Sequence, residues 1–582
     1  MTNLKKKSHT EKLLLPIGVD DYQDLIEGGY VYVDKTLLIK EFWETDGKVV
    51  LVTRPRRFGK TISLSMLKCF FEITEKSTSH LFEKSKIWQE EKFRQLQGTF
   101  PVICISFKDI KASSWENTYE ELKELLAKEV RRTLKPLEEK LSKDYRKKYQ
   151  AILDKTANQA EFTESLLFIT EAIKECLGKS TIILIDEYDS PITYAYTHKF
   201  YKSMVDFMCN LLSKALKGNP QLHKGFMTGV VRTAKDGILS GLNNLNICTM
   251  LDKNFADKFG FMEEEVSRLL NLVNRPDKNQ EVKSWYNGYK IAAKYASDPS
   301  LAHFSCQIYN PWSLLKYIES SCMPETYWAN TGSTELLERL ISETSTVIQN
   351  ELKILLEGKA LEKKTINQDV ILLDLDHREV EPWSFLFFAG YITAVEHLFT
   401  NNKNYYTLAI PNEEIKELYK KLVLGAISKN FSSIKLETLL EALVEGEIAL
   451  VNNLLGDFIK SFCSYHDLYE KDLESSLHLF VLGLLASLAD TYIVSSNLES
   501  GYGRYDIMLC PKTPNANLPG VLLEFKKGKK KDLKILAEEA LEQIKTKDYK
   551  SQLKNLGHSG KILCYGIASY KKEILVKIET FS

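Results

Sequence analysis

Apolar positions along the chain follow two rhythms. Short unbroken runs, Lys48-Val49-Val50-Leu51-Val52 and Thr181-Ile182-Ile183-Leu184-Ile185, have the character of strands buried on both faces, and Pro101–Phe107 and Phe226–Val231 read the same way. Between them the spacing becomes helical. Ile62, Met66 and Phe70 recur at four-residue steps within Thr61–Glu72, and Trp115–Leu134 and Glu161–Leu177 are further helices, the former stopping just before Pro136. Strands alternating with helices predict a mainly parallel sheet covered on both faces, over residues 15–260 and behind a loose tail at 1–14.

From about residue 235 the strand signal fades, and residues 261–430 read as a mostly helical middle region. Its helices are Met262–Asn271, Trp312–Ser320 and Thr334–Leu356, with a short strand pair at Val370–Leu375 and Tyr405–Ile410. The last block, 431–582, contains the amphipathic helix Leu473–Leu488, strands Arg504–Cys510 and Val521–Phe525, a helix Leu533–Thr546 and a strand Lys561–Ile567. The Pro/Asn-rich segment Pro511–Gly520 joins its first two strands as a hairpin. The expected fold class is therefore α/β in both outer blocks, with the helical region between them.

Composition narrows the picture only a little. At 582 residues the chain exceeds one hydrophobic core, and 44% apolar with 27% charged residues is ordinary for a globular protein. Lys+Arg and Asp+Glu are both 78, so any nucleic-acid surface is a local patch and not a property of the whole. Ten scattered cysteines without a C-x-x-C pair argue against a zinc knuckle or a disulfide framework and suit a reducing compartment. The lysine-rich start, Met1–Lys12, has no apolar stretch behind it long enough for a signal peptide, and no run approaches the ~20 apolar residues of a membrane span. A cytoplasmic protein with no membrane partner is expected.

Chemistry first appears at Arg54-Pro55-Arg56-Arg57-Phe58-Gly59-Lys60-Thr61, a loop running from a buried strand into a helix. Such a junction aims backbone N–H groups and the positive helix end at a bound phosphate. A lysine there reaches the β- and γ-phosphates, and the hydroxyl after it can hold Mg²⁺. The general pattern G-x-x-x-x-G-K-[ST] would need glycine at position 54, where this chain has Arg54. A second element is Asp186-Glu187, directly after the run Thr181–Ile185. A carboxylate at the end of a buried strand is costly without a partner, and Mg²⁺ supplies one. The alternative is a helix-capping carboxylate.

These stretches, together with Leu15-Pro16-Ile17-Gly18, Tyr32-Val33-Asp34-Lys35-Thr36, Asp186-Glu187-Tyr188-Asp189-Ser190-Pro191 and Thr228-Gly229-Val230-Val231-Arg232, resemble the AAA-ATPase-like family of bacterial proteins over residues 15–260. That family carries R-P-R-R-F-G-K-[ST], so Arg54 agrees with it. Weaker echoes lie at Trp285-Tyr286-Asn287-Gly288-Tyr289 and Tyr309-Asn310-Pro311-Trp312. The resemblance implies ATP binding by the loop residues Arg57, Phe58, Gly59, Lys60 and Thr61, with Lys60 on phosphate, Thr61 and Asp186 on Mg²⁺, and Glu187 positioning water. It also implies Thr228 as a γ-phosphate sensor and Arg232 as a group neutralising transition-state charge. A surface ion pair is the alternative for Arg232, and Arg54, Arg56 and Arg57 either steer the triphosphate or are simply solvated.

A second constellation lies near the C-terminus. Gly501-Tyr502-Gly503-Arg504-Tyr505-Asp506 precedes Leu522-Leu523-Glu524-Phe525-Lys526, and strand alternation puts Glu524 and Lys526 on one face. If the two strands pair, Asp506 meets them. Two carboxylates and a lysine suit phosphodiester hydrolysis: the acids hold Mg²⁺, and the lysine offsets developing charge. The alternative is a solvated edge strand. The arrangement resembles the PD-(D/E)xK nuclease superfamily over residues 470–575, with Tyr505 where that motif has proline. The resemblance adds Glu474 as the upstream glutamate, Gln543, followed by Ile544 and Tyr549, as the glutamine facing the site, and a histidine at His478; His466 lies nearby. Lys526, Lys527, Lys529, Lys530, Lys531 and Lys534 form a basic cluster suited to a polyanionic backbone, or else a solvated turn.

Two functional readings remain open at this point. One is an ATPase that drives or licenses an Mg²⁺-dependent nuclease acting on nucleic acid, DNA foremost, with defence against foreign or mobile DNA as the role by analogy. The other is an ATP-dependent switch whose C-terminal domain binds nucleic acid or protein without cutting. Proteins of this general type also act as rings or dimers, for which Arg232 and Arg268 are candidate contacts to a neighbouring copy.

Overall fold

The computed structural model describes residues 13–232, 245–292, 304–328, 346–368, 382–428, 431–465, 486–496, 506–513, 517–528, 532–547, 549–570 and 573–581, with residues 337, 480, 483, 484, 499, 500, 503 and 504. The chain divides into two compact units, residues 1–330 with 362–414, and residues 331–361 with 415–582.

In the first unit, five strands form a parallel sheet: β1 (Val49–Thr53), β2 (Val102–Ser106), β3 (Thr181–Asp186), β4 (Leu222–Gly229) and β5 (Leu245–Cys248). The spatial order is β2-β3-β4-β1-β5. β1 and β3 are buried at every position, which explains their unbroken apolar character. The helix Trp115–Leu134 shows how the covering layer is specified. Ser114 caps its start by accepting from the Asn117 N–H, Leu122, Leu126, Val130 and Leu134 are buried, and Pro136 follows its end. Because the strands are parallel, the ends of β1, β3 and β4 lie at one edge, where open α/β sheets form their ligand crevice.

Among the described residues, six further strands follow, of which β9 begins one residue before this unit's segment 362–414: β6 (Phe261–Met262), β7 (Tyr289–Ala292), β8 (Phe304–Tyr309), β9 (Leu361–Lys364), β10 (Thr393–Thr400) and β11 (Lys403–Ala409). They make two three-stranded sheets, ordered β6-β8-β7 and β10-β11-β9. The middle region is thus helical with more strand than its sequence suggested. The expected strand near Tyr405–Ile410 is β11, and it pairs antiparallel with β10 across Asn401 and Asn402, both at positive φ (50° and 60°), as a tight hairpin turn requires. The expected strand Val370–Leu375 lies outside the described residues. Helices Glu263–Leu272 and Pro311–Glu319 fall within a residue of the expected ones, and Thr346–Leu356 is the described part of the third.

The second unit is built on β12 (Tyr492–Ser496), β13 (Ile507–Pro511), β14 (Gly520–Lys527), β15 (Ile562–Tyr570) and β16 (Glu573–Phe581), in that spatial order. β13 and β14 pair antiparallel, as the hairpin reading required; β14 and β15 are parallel, joined through the helix Leu533–Thr546. Met508, Cys510, Leu522, Leu541, Ile544, Tyr549 and Cys564 form the core between sheet and helix, each large apolar side chain contributing about 1.5–3 kcal/mol. Two more helices, Ser433–Glu445 and Ile448–Tyr465, are tied to the sheet by hydrogen bonds from Tyr565 Oη to the Leu443 carbonyl (2.8 Å) and from the Val576 N–H to Asn452 Oδ1 (3.0 Å). Among the described residues, no helix is long and apolar enough to cross a membrane.

Candidate functional site

The loop after β1 turns through Arg57 (φ 65°) and Gly59 (φ 84°) into the helix Lys60–Phe71. Both positive angles let a tight loop deliver the chain to the helix start, and at Gly59 the absent Cβ removes the strain. Lys60 is buried, and its ammonium donates to the carbonyls of Arg54 (3.0 Å) and Pro55 (2.9 Å). Burial lowers its pKa, while Glu187, Asp186 and Asp189 oppose that shift.

Asp186, at the end of β3, is the centre of this site. Its Oδ2 accepts from Thr61 Oγ1 (2.8 Å) and from Ser106 Oγ (3.4 Å), and its Oδ1 accepts from Thr228 Oγ1 (2.6 Å). Register explains the gathering: Ser106 pairs with Asp186 across β2 and β3, and β4, carrying Thr228, lies between β3 and β1. Glu187 adopts a positive φ of 50°, and burial raises its carboxyl pKa with Lys60 pulling against that. Asp189 is buried and anchors the segment after β4, accepting from the Val230 and Val231 N–H groups, both at 2.8 Å.

The arginines of the loop part ways. Arg54 is neither solvated nor free to steer a phosphate. It is fully buried and donates to the carbonyls of Thr53 (2.8 Å), Cys248 (3.3 Å), Asn254 (3.3 Å) and Phe255 (3.1 Å). Burial pushes its pKa down to about 10, so it stays charged at neutral pH. Arg57 is exposed and lies over the Trp312 ring at 4.3 Å. Phe58 is buried edge-on against Tyr289 (5.0 Å), which makes it a packing residue of the loop. Arg232 is half-buried just beyond β4, and Arg268 is paired with Glu264 at 3.9 Å on the surface.

In the second unit the antiparallel register Ile507↔Leu523 extends to set Asp506 opposite Glu524. Asp506 Oδ2 accepts from the Phe525 N–H at 2.6 Å. Glu524 is 4% exposed; the Gln543 amide N–H donates to its Oε1, and Gln543 Oε1 accepts from Lys526 Nζ at 2.9 Å. The same amide nitrogen donates to Tyr549 Oη at 3.2 Å. Gln543 reaches this point because its helix packs closely on the sheet. Gly566 is the β15 partner of Glu524, and a Cβ there would come within 2.1 Å of the Ala537 carbonyl oxygen. Asp506, Glu524, Lys526 and Gln543 therefore converge.

Burial, and then the neighbouring Asp506 charge, pushes the Glu524 carboxyl up to about 8. Burial also raises Asp506, with Phe525 N–H, Lys526 and Lys353 opposing it. Lys353 had no signal in the sequence; it is a nearly buried lysine on the helix Thr346–Leu356, far upstream of the motif. Glu524 Oε2 is buried with no hydrogen-bond partner among the described residues. A divalent cation fits that orphaned oxygen and the adjacent Asp506. Two carboxylates with the remaining positions left to water and phosphate is the usual donor set for Mg²⁺. Among the described residues no group of three His, Cys, Asp or Glu side chains forms a fuller cage. The Thr61 hydroxyl and Asp186 carboxylate are likewise a hydroxyl-plus-carboxylate set suited to Mg²⁺. Glu474, His466, His478, Tyr505, Lys529, Lys530 and Lys531 lie outside the described residues.

Residues 16–239 match the family model described as "Predicted AAA-ATPase", and residues 472–579 match that of the "PD-(D/E)XK nuclease superfamily". The chain thus carries a predicted AAA-ATPase-like domain over residues 16–239 and a C-terminal PD-(D/E)XK nuclease-superfamily domain over residues 472–579. It is similar to the "Uncharacterized protein in vnfD 5'region" of Azotobacter chroococcum mcd 1, 24% identical over 556 residues that cover 93% of this chain and 94% of that protein. No solved structure matches it.

Proposed function

We propose that this protein binds and hydrolyses ATP at the loop around Lys60 and cuts nucleic-acid phosphodiesters, DNA foremost, at the Asp506–Glu524–Lys526 site. The observation that carries the reading is the orphaned, buried Glu524 oxygen beside Asp506, with Lys526 held by Gln543.

In the nuclease half, Asp506 and Glu524 would hold Mg²⁺, which polarises the phosphate and lowers the pKa of water. Gln543 keeps Glu524 and Lys526 apart and oriented, donating to one and accepting from the other. Lys526 stabilises negative charge on the phosphate as the bond breaks. In the ATPase half, Lys60 exchanges its two loop carbonyls for phosphate oxygens. Thr61 and Asp186 would hold Mg²⁺, and Glu187 orients the attacking water. Thr228 links Asp186 to the Glu187 N–H (3.4 Å), so it can relay a change at one acid to the other. As a setting we propose defence against foreign or mobile DNA, by analogy with other pairings of an ATPase with a nuclease.

The test is incubation with supercoiled DNA, single-stranded DNA and RNA in Mg²⁺ or Mn²⁺, with and without ATP. Asp506→Ala should lose about 100-fold or more of cleavage. Lys60→Ala should lose ATP turnover and the effect of ATP on cutting. ATP turnover without cleavage of any substrate would leave the C-terminal domain a binding module.

A further inference from the structure

The P-loop is braced by residues that no motif marks. Trp328 is buried, and its indole Nε1–H donates to the Arg56 carbonyl at 3.1 Å, across 272 residues of chain. Its backbone N–H donates to Glu414 Oε1 at 2.7 Å. Ser313 Oγ donates to the same carboxylate, at 3.0 and 2.8 Å from its two oxygens. Tyr391 packs edge-on against the indole at 5.0 Å, and the next loop residue, Arg57, sits over Trp312 at 4.3 Å. Glu414 is fully buried, so the Trp328 N–H and the Ser313 hydroxyl that meet it help make a carboxyl tolerable there.

The peptide plane gives this brace a consequence. A trans peptide is planar, so its carbonyl and the following N–H point in opposite directions. Holding the Arg56 carbonyl fixes the direction of the Arg57 N–H, one of the amides from which a phosphate-binding loop is made. The hold comes from a rigid ring, itself fixed by a buried carboxylate. A loop oriented in advance has less ordering to do when ligand arrives.

We propose that Trp328 and Glu414 are positioning residues of the nucleotide site: Glu414 holds Trp328, and Trp328 sets the Arg56–Arg57 peptide for a polyphosphate. This rests on the reading of the Lys60 loop as a nucleotide site. Linkage makes the effect reciprocal, so bound nucleotide tightens the hold on Trp328 and Glu414. Glu414 lies in the first turn of the helix Glu413–Ser428 and is the last residue of the first unit, so nucleotide state reaches the point where the chain leaves that unit.

The experiment uses the full chain and titrates Mg·ATP by calorimetry. Trp328→Phe keeps the ring and loses the N–H; it should raise Kd about tenfold, the scale of one lost hydrogen bond, and raise KM more than it lowers kcat. Glu414→Ala should match it. Glu414→Gln, whose amide oxygen still accepts from the Trp328 N–H, should stay within about threefold of wild type. A merely structural role would lower the melting temperature without moving Kd of the folded protein. In the wild type, hydrogen exchange at the Trp328 amide should slow on adding Mg·ATP, a measurement that needs no variant to fold. Unchanged Kd in folded Trp328→Phe, or unchanged exchange at saturating Mg·ATP, overturns the inference alone. If wild type fails to bind Mg·ATP, or Lys60→Ala binds it equally, the nucleotide reading falls and takes the inference with it.

Discussion

Both outer regions of this chain bring an acid to the last buried position of a strand, and they treat it oppositely. Asp186 has hydroxyl donors on both oxygens, from Thr61, Ser106 and Thr228. Glu524 has the Gln543 amide on one oxygen and, among the described residues, nothing on the other. The first site is electrostatically complete without a ligand, and even the Lys60 ammonium is satisfied by its own loop. Hydroxyls can turn from carboxylate to cation and back, which suits a ligand that comes and goes. On the proposed reading a cation completes the second site, which would suit a metal that stays.

The strongest way to break the second site is through its packing. Gly566→Val would drive a side chain into the helix backbone at Ala537, a clash costing more than the ~1–3 kcal/mol of ordinary overpacking. Gln543 should then leave Glu524, and cleavage should fall about 100-fold or more while ATP turnover persists. Retained cleavage in a folded Gly566→Val protein would mean Gln543 is not needed.

Next in size is Arg54→Met, which strips a donor from four carbonyls of the first unit. We expect a loss of about 3 kcal/mol or more, read as a lower denaturation midpoint. A variant as stable as wild type would contradict this structural role for Arg54.

The contrast also predicts a pH dependence. The folded Glu524 pKa of about 8 lies above that of an unfolded glutamate, so between the two the native state holds more protons. The contribution of Glu524 to the metal-free stability of the second unit should therefore be fully present below about pH 4, fall as pH rises, and be lost above about pH 8. Glu524→Gln should flatten that profile. Metal binding needs the ionised carboxylate, so affinity for Mn²⁺ should rise toward pH 8 in the wild type. Thermal melts with chelator at several pH values would check the first part; a profile unaffected by Glu524→Gln would contradict it.

The smallest effect belongs to Ser106→Ala. Its 3.4 Å bond to Asp186 is long, and the other two hydroxyls remain, so ATP turnover should change by no more than about threefold. A larger loss would promote Ser106 to an essential part of the site.

What the sequence made legible was local. β1 and β3 announce themselves by unbroken apolar runs, the Trp115 helix by its spacing and by Pro136, and the C-terminal site by strand alternation that puts Glu524 and Lys526 on one face. Distant pairing was not legible. Ser106 joins Asp186 only through the register of two parallel strands, and Trp328 meets Arg56 across 272 residues without a spacing that marks it. Arg54 read as a surface cation because the carbonyls of Asn254 and Phe255 that bury it are 200 and 201 residues away. β5, only four residues and half-buried at three of them, lacks the apolar signature of its neighbours. The β10–β11 hairpin was half seen, since the exposed outer part of β10 looks like a polar loop.

The central claim, that the Glu524 oxygen is a metal ligand, is best met by titrating Mn²⁺ into nucleotide-free protein carrying Asp186→Asn, which removes the other carboxylate suited to a cation. The account predicts one-site binding near pH 8 that weakens about tenfold or more when Glu524→Gln or Asp506→Asn is added. Binding that is absent, or that neither substitution disturbs, would contradict it.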